Sequence, residues 1–233
     1  MTDKDKTAPD YLGHRKRVRD KFLSGGGKNM ADYEFLELLL MMSIPRRDVK
    51  PIAKSLIRKF GSFAEVVNAD SAELLSCEGI KETSLALLKA VKEGALRMQY
   101  QTLKASDRPI INSMDIMIDY FRSSMAYADV EQFRIVWLDT KLRLIGEEIQ
   151  QRGTINSVSL HPREVIKSAI NHGAGAIIMV HNHPSGDVTP SRADIEITDK
   201  IDAACKAVNI RLIDHLIVSK NSIYSFSQKG IVY

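Results

Sequence analysis

The run from Ala176 to Val180, AIIMV, is apolar at every position and passes without a break into His181-Asn-His-Pro-Ser-Gly186. A strand with one wet face alternates apolar and polar residues, whereas a continuously apolar one is covered on both sides. In a chain whose hydrophobic content is an ordinary 44%, such a strand belongs at the centre of a sheet between layers of helix. The flanks agree. Upstream, PREVIKSAINH places Val165, Ile166, Ala169 and Ile170 at helical spacing, with Pro162 at its start and Gly173 and Gly175 as its stop. Downstream, a helix from about Ser191 to Val208 carries Ile197, Ile201, Cys205 and Val208 on one side.

The rest of the second half supplies the other strands. Gln132–Asp139 and Leu142–Ile149 are β-rich runs separated by a short polar turn, which reads as a hairpin whose second limb stops at Gly153 and Thr154. Ser113–Ser124 reads as a helix before it, and Arg211–Ser219 and Ser222–Phe226 as two closing strands. Helix, strand, strand, helix, strand, helix, strand, strand is the order of an α/β sandwich with a mixed sheet. Its central strand ends at His181, and open α/β sheets bind ligands at the carboxyl ends of their strands.

The first half has no comparable strand. After a polar tip come His14–Lys21 (HRKRVRDK), Asp32–Met42 and Val49–Phe60, all helical in period and bounded by Gly or Pro. A short helix at Ser71–Ser76, a tight turn at Glu78-Gly-Ile-Lys81 and a longer helix to about Met98 complete it. Helix, glycine turn, helix resembles a helix-hairpin-helix, which grips DNA phosphates through backbone N–H groups. Gly79-Ile80-Lys81 has lysine where that module carries its second glycine, so a packing or protein-interaction module is the other reading. The formal charge of +4 is carried by the first half, which favours an acidic partner there. Residues 103–113 (LKASDRPIINS) lose helical periodicity, placing a boundary near residue 106 between a helical domain, 1–106, and an α/β domain, 107–233.

The chemistry is concentrated in Met179–Asp194, MVHNHPSGDVTPSRAD. Side chains two apart on a strand share a face, so His181 and His183 project together. Asp194, in the first turn of the following helix, can close on them across a Pro/Ser/Gly loop. Two imidazoles and a carboxylate leave one tetrahedral position open, the arrangement of a catalytic zinc. A zinc nucleobase deaminase needs His-x-Glu and Pro-Cys-x-x-Cys. Cys77 and Cys205 are the only cysteines, far apart, so those ligands are missing and no disulfide scaffold is signalled. No apolar stretch is long enough to span a bilayer or serve as a signal peptide, so the expected setting is cytoplasmic, with no membrane partner.

His181-x-His183-Pro184, then Ser191 and Asp194, resembles the motif of the JAMM (MPN+) zinc metallopeptidases. The wider set, HPRE at 161–164, HNHPSG at 181–186, PSRAD at 190–194 and DHLIV at 214–218, is similar to the RadC family of bacterial proteins. GHRKRVRDKFL, DYEFLELLL and IPRRDVKPIAK extend the likeness into the first half. The resemblance implies a JAB-type, deaminase-like α/β/α sandwich carrying Zn²⁺, preceded by a small all-α helix-hairpin-helix domain. It implies hydrolysis of an amide or isopeptide bond in a peptide or protein, with His181, His183 and Asp194 as metal ligands.

An upstream glutamate would take the proton from the attacking water. Glu147 and Glu148 in the hairpin point to opposite faces, and Glu148, five residues before Gly153, is the choice. Ser191 matches the serine beside the oxyanion, though with Asp194 three residues on it also fits an N-cap. His215, next to Asp214, is expected behind the ligands rather than among them. The family's DNA-repair label leaves a second expectation, a DNA-binding accessory protein whose metal domain binds partners without peptidase activity.

Overall fold

A computed structural model of the chain describes residues 13–152 and 160–229. The polar tip and the strand stop at Gly153 and Thr154 lie outside the described residues. The chain divides into two compact units, Met1–Gly94 and Ala95–Tyr233.

The first unit is helical: α1 (His14–Gly25), α2 (Asp32–Ser43), α3 (Lys50–Phe60), α4 (Phe63–Asn68), α5 (Ser71–Leu75) and the start of α6 (Glu82–Lys104). Its core gathers Leu36, Leu40, Ile52, Leu56, Val66, Leu74, Ile80 and Leu88. Sequence periodicity finds five of these helices and not α4, whose six residues are too few to show a period. Its start is marked instead by Ser62, whose hydroxyl accepts from Glu65 N at 3.2 Å. The α5–α6 turn depends on Gly79, which has φ of +84° and would bring a Cβ within 2.5 Å of Ile52 Cδ1. No side chain fits there without displacing the core.

In the second unit α6 continues past Met98 to Lys104, because Leu96, Tyr100 and Leu103 all reach the apolar core beneath the sheet. Then follow α7 (Met114–Met125), β1 (Gln132–Leu138), β2 (Leu144–Arg152), α8 (Pro162–Asn171), β3 (Ala176–Asn182), α9 (Arg192–Ala207), β4 (Arg211–Val218) and β5 (Ile223–Ser225). The sheet order is β2-β1-β3-β4-β5, with β3 third of five as its composition requires. β1 runs antiparallel to β2 and β3; β3 and β4 are parallel, and β5 returns antiparallel to β4. This mixed sheet with helices on both sides is the α/β sandwich read from the sequence.

Each face has its own core. Val136, Leu138, Ile178, Val180 and Leu216 meet Met117, Phe121 and Met125 of α7. Ile135, Trp137, Ile177 and Met179 meet Val165 and Ala169 of α8 and Ile201 and Cys205 of α9. β4 contains a bulge: Leu212 pairs with Ile177 but Asp214 with Ile178, so Ile213 is an extra residue in the ladder. Beyond the bulge His215 pairs with Met179. Among the described residues no helix is long and apolar enough to cross a membrane.

Candidate metal centre

The phase of β3 builds the site. Ile177 and Met179 turn toward α8 and α9, and His181, two residues on, continues on that face. The strand ends at Asn182, and the chain turns at His183, whose carbonyl accepts from Gly186 N at 3.0 Å. α9 then starts beside the end of β3. Its N-cap is Ser191: the hydroxyl accepts from Asp194 N at 3.2 Å, and the Asp194 carboxylate accepts from Ser191 N at 2.8 Å. This reciprocal box fixes Asp194 in the first turn, aimed at the histidines.

The three residues meet through their ring nitrogens and carboxylate. His181 Nε2 and His183 Nε2 are 3.0 Å apart; Asp194 Oδ1 is 3.2 Å from the first and Oδ2 is 3.6 Å from the second. One ligand atom from each lies within 4.8 Å of the others, a group that can hold a metal ion. His183 Nδ1 donates to the Asp187 carbonyl at 2.6 Å, which leaves its Nε2 lone pair for the centre. The donor set therefore fits a divalent cation of the zinc type, with imidazole and carboxylate ligands.

Electrostatics point the same way. Burial alone would raise the Asp194 carboxyl, but the imidazoles of His181 and His183 beside it hold it well below the usual carboxylate range. His183 is raised above the ordinary histidine value, chiefly by its hydrogen bond to Asp194. His215 is fully buried, and burial pushes its imidazole well below that value. Its Nε2 lies 2.7 Å from His181 Nδ1 and its Nδ1 lies 2.6 Å from Thr198 Oγ1. It stands behind His181.

Ser191, Glu148 and Glu147 each have a partner of their own. Ser191 is in the site as a cap, its own proton donated to Asp194 Oδ2 at 2.6 Å. Glu148 lies on the same sheet face as His181, opposite Ile135 on β1. Its exposed carboxylate accepts from Ser168 Oγ of α8 at 2.5 Å. Glu147 points the other way and accepts from Tyr120 at 2.5 Å.

Sequence reasoning passed over Glu131. In the antiparallel β1–β3 register Phe133 pairs with His181, and Glu131, just before β1, lies close enough to His183 for its charge to act on that imidazole. Asn182 fastens this segment, accepting from Gln132 N at 2.8 Å and donating to the Val130 carbonyl at 3.2 Å. The charge of Glu131 contributes to the raised value of His183. The available signal was the alternation Glu131, Phe133, Ile135, Trp137, which puts an acid on the inward face at the mouth of β1.

Comparison with known proteins agrees with this architecture. Residues 111–231 match the family model described as a RadC-like JAB domain. A UPF0758 protein of Ruegeria pomeroyi is 44% identical over 223 residues, spanning 95% of this chain and 99% of its own. A UPF0758 protein of Rhodobacter capsulatus is 44% identical over 215 residues, 92% of this chain and 100% of its own. On the matched domain and on likeness along nearly the whole length, the chain belongs to the RadC-like JAB domain family.

Proposed function

We propose that the chain is a zinc-dependent hydrolase of amide or isopeptide bonds in peptide or protein substrates. The observation that carries this reading is the convergence of two imidazole nitrogens and one carboxylate at the carboxyl end of the central strand. Zinc held there supplies Lewis acidity, polarising a carbonyl and making water nucleophilic near neutral pH.

The chain's own residues do the rest. His181, His183 and Asp194 hold the ion, and α9 presents Asp194 through its cap. A carboxylate must accept the proton of the attacking water and pass it to the leaving amine. Glu131, whose charge acts on His183, is the better placed acid. Glu148, expected for this role from the sequence, has its carboxylate engaged by Ser168 and would have to leave it. Ser191 Oγ can donate to an oxyanion only by turning its hydrogen away from Asp194.

The test combines metal analysis with turnover. Protein purified without added zinc should carry the metal, and His181→Ala or His183→Ala should abolish it; a chain without site-specific metal sinks the reading. With an isopeptide-linked peptide library, Glu131→Gln should stop hydrolysis while keeping the metal, and Glu148→Gln should leave it running. The reverse pattern restores Glu148 as the base.

A second reading places DNA on the helical unit. Lys16, Arg17 and Arg19 of α1 are exposed, as is Lys81 beside the Gly79 turn at the head of α6. Phosphate contacts there predict binding of single-stranded or branched DNA that weakens steeply with salt. If the full chain binds neither at low salt, or if Lys81→Glu changes nothing, the DNA reading fails.

A further inference from the structure

We propose that Thr198 and His215 act as positioning residues that fix the proton on Nδ1 of His181, so that Nε2 is the nitrogen it presents to the metal centre. The inference rests on the metal reading for its purpose, but the proton order follows from four hydrogen-bonded groups alone.

Proton counting starts at α9. Thr198 Oγ1 has one proton, and the Asp194 carbonyl oxygen, 2.6 Å away, can only accept. That proton is committed, so toward His215 Nδ1, at 2.6 Å, the hydroxyl oxygen must accept. Nδ1 of His215 therefore carries hydrogen.

The ring is fully buried, stacked on Phe226 with centroids 4.6 Å apart and tilted against Phe133 at 5.4 Å. The neighbouring Asp214 carboxylate is occupied elsewhere, by His215 N, Ser227 N and Ser225 Oγ. A buried imidazole with no carboxylate on its ring stays neutral. Its Nε2 is then an acceptor, and His181 Nδ1, at 2.7 Å, must donate to it. With hydrogen held on Nδ1 of His181, Nε2 is the nitrogen left to offer a lone pair to a metal ion, and it is the atom that meets Asp194 and His183.

This arrangement differs from the usual partner of a metal-binding histidine, a carboxylate or a backbone carbonyl. His215 orients its neighbour without adding negative charge, and with both ring nitrogens used it has none left for ligation. The helix that contributes the carboxylate ligand also contributes Thr198 one turn later, so ligand and orienting group are set by the same element.

The experiment uses the full chain with ¹⁵N-labelled histidine. Two-bond ¹H–¹⁵N spectra of the metal-free protein, at mildly alkaline pH where free imidazoles are neutral, should show His181 and His215 as Nδ1–H tautomers. Hydrogen on Nε2 of His181 in those spectra overturns the proposal, and this readout needs no variant to fold.

Zinc affinity, read by competition with a chromophoric chelator, should fall about 10- to 100-fold in His215→Phe. That variant keeps the aromatic stack and loses the acceptor. His215→Gln, whose side-chain carbonyl can accept from His181, should recover most of the loss. An unchanged affinity in His215→Phe, or no recovery in His215→Gln, overturns it as well. If the wild-type chain takes up no zinc, the metal reading fails, while the metal-free spectra still decide the proton order.

Discussion

The two faces of the central sheet treat an inward-facing acid in opposite ways. Toward α7, Glu147 accepts from Tyr120 at 2.5 Å and from Arg134 Nη1 at 3.3 Å, so its charge meets a fixed cation and a hydroxyl. Burial first, and then the charge of Glu147, raise Tyr120 above the ordinary tyrosine value, keeping it a donor. Toward α8 and α9, the ion-pair partners of Asp194 among the described residues are His181 and His183, whose ring nitrogens are themselves ligand atoms. An acid paired with a permanent cation, as Glu147 is with Arg134 through Oε1, stabilises the fold. Acceptors gathered without a permanent cation leave a place for a ligand, and that contrast, more than burial or acidity, separates site from scaffold.

The largest effect that tests the contrast is loss of the ion itself. Asp194→Ala should remove site-specific metal from the purified chain, seen by elemental analysis, because it deletes the one anionic ligand of the group. Acid should do the same to the wild type. His183 is raised above its ordinary value in the metal-free chain, so protons compete with the ion from a higher pH than at an unperturbed histidine. Occupancy should decline as pH falls into the histidine range; occupancy that holds well below it breaks the assignment.

On the opposite face, Glu147→Leu should cost on the order of 3 kcal/mol in chemical denaturation, because it strands the buried guanidinium of Arg134. Metal content should be unchanged. A metal defect in this variant would mean that the two faces are not separable.

A smaller change distinguishes the two uses of Ser191. Ser191→Ala should lose about 1 kcal/mol as the cap of α9 is removed, and Ser191→Asn should retain most of it. If hydrolysis needs only a correctly held Asp194, the Asn variant keeps its rate. A collapse in turnover at normal stability would instead assign the hydroxyl to the chemistry.

Ser168→Ala should do least, within about 0.5 kcal/mol, since its bond to Glu148 lies at the surface. Turnover should not respond. An increased rate would show that Ser168 restrains a working Glu148.

Much of this was legible because strands and helices have simple periods. The continuous apolar run of β3 announced a central strand, and the two-residue spacing of His181 and His183 announced a shared face. The opposite directions of Glu147 and Glu148 followed from the same rule, and their contacts with Tyr120 and Ser168 bear it out. Pairing was not legible. The antiparallel partnership of Phe133 with His181 joins residues nearly fifty apart in sequence, and without it Glu131 is one acid among many near a turn. Nor could sequence tell that α6 would run past Met98 to Lys104, because the apolar contacts of Tyr100 and Leu103 that extend it are made with residues distant in sequence.

The bulge at Ile213 makes chain length, rather than residue identity, the sensitive variable of β4. Which side of a sheet a residue occupies is a matter of odd and even, and the extra residue reverses the count once. Leu212 and His215 share a side although they are three apart. Deleting Ile213 would straighten the strand and leave His215 against His181. Inserting one more residue without a second bulge would carry the imidazole to the α7 side and turn Asp214 toward the histidines. A neutral acceptor would then be exchanged for a carboxylate, with every amino acid of the strand still present.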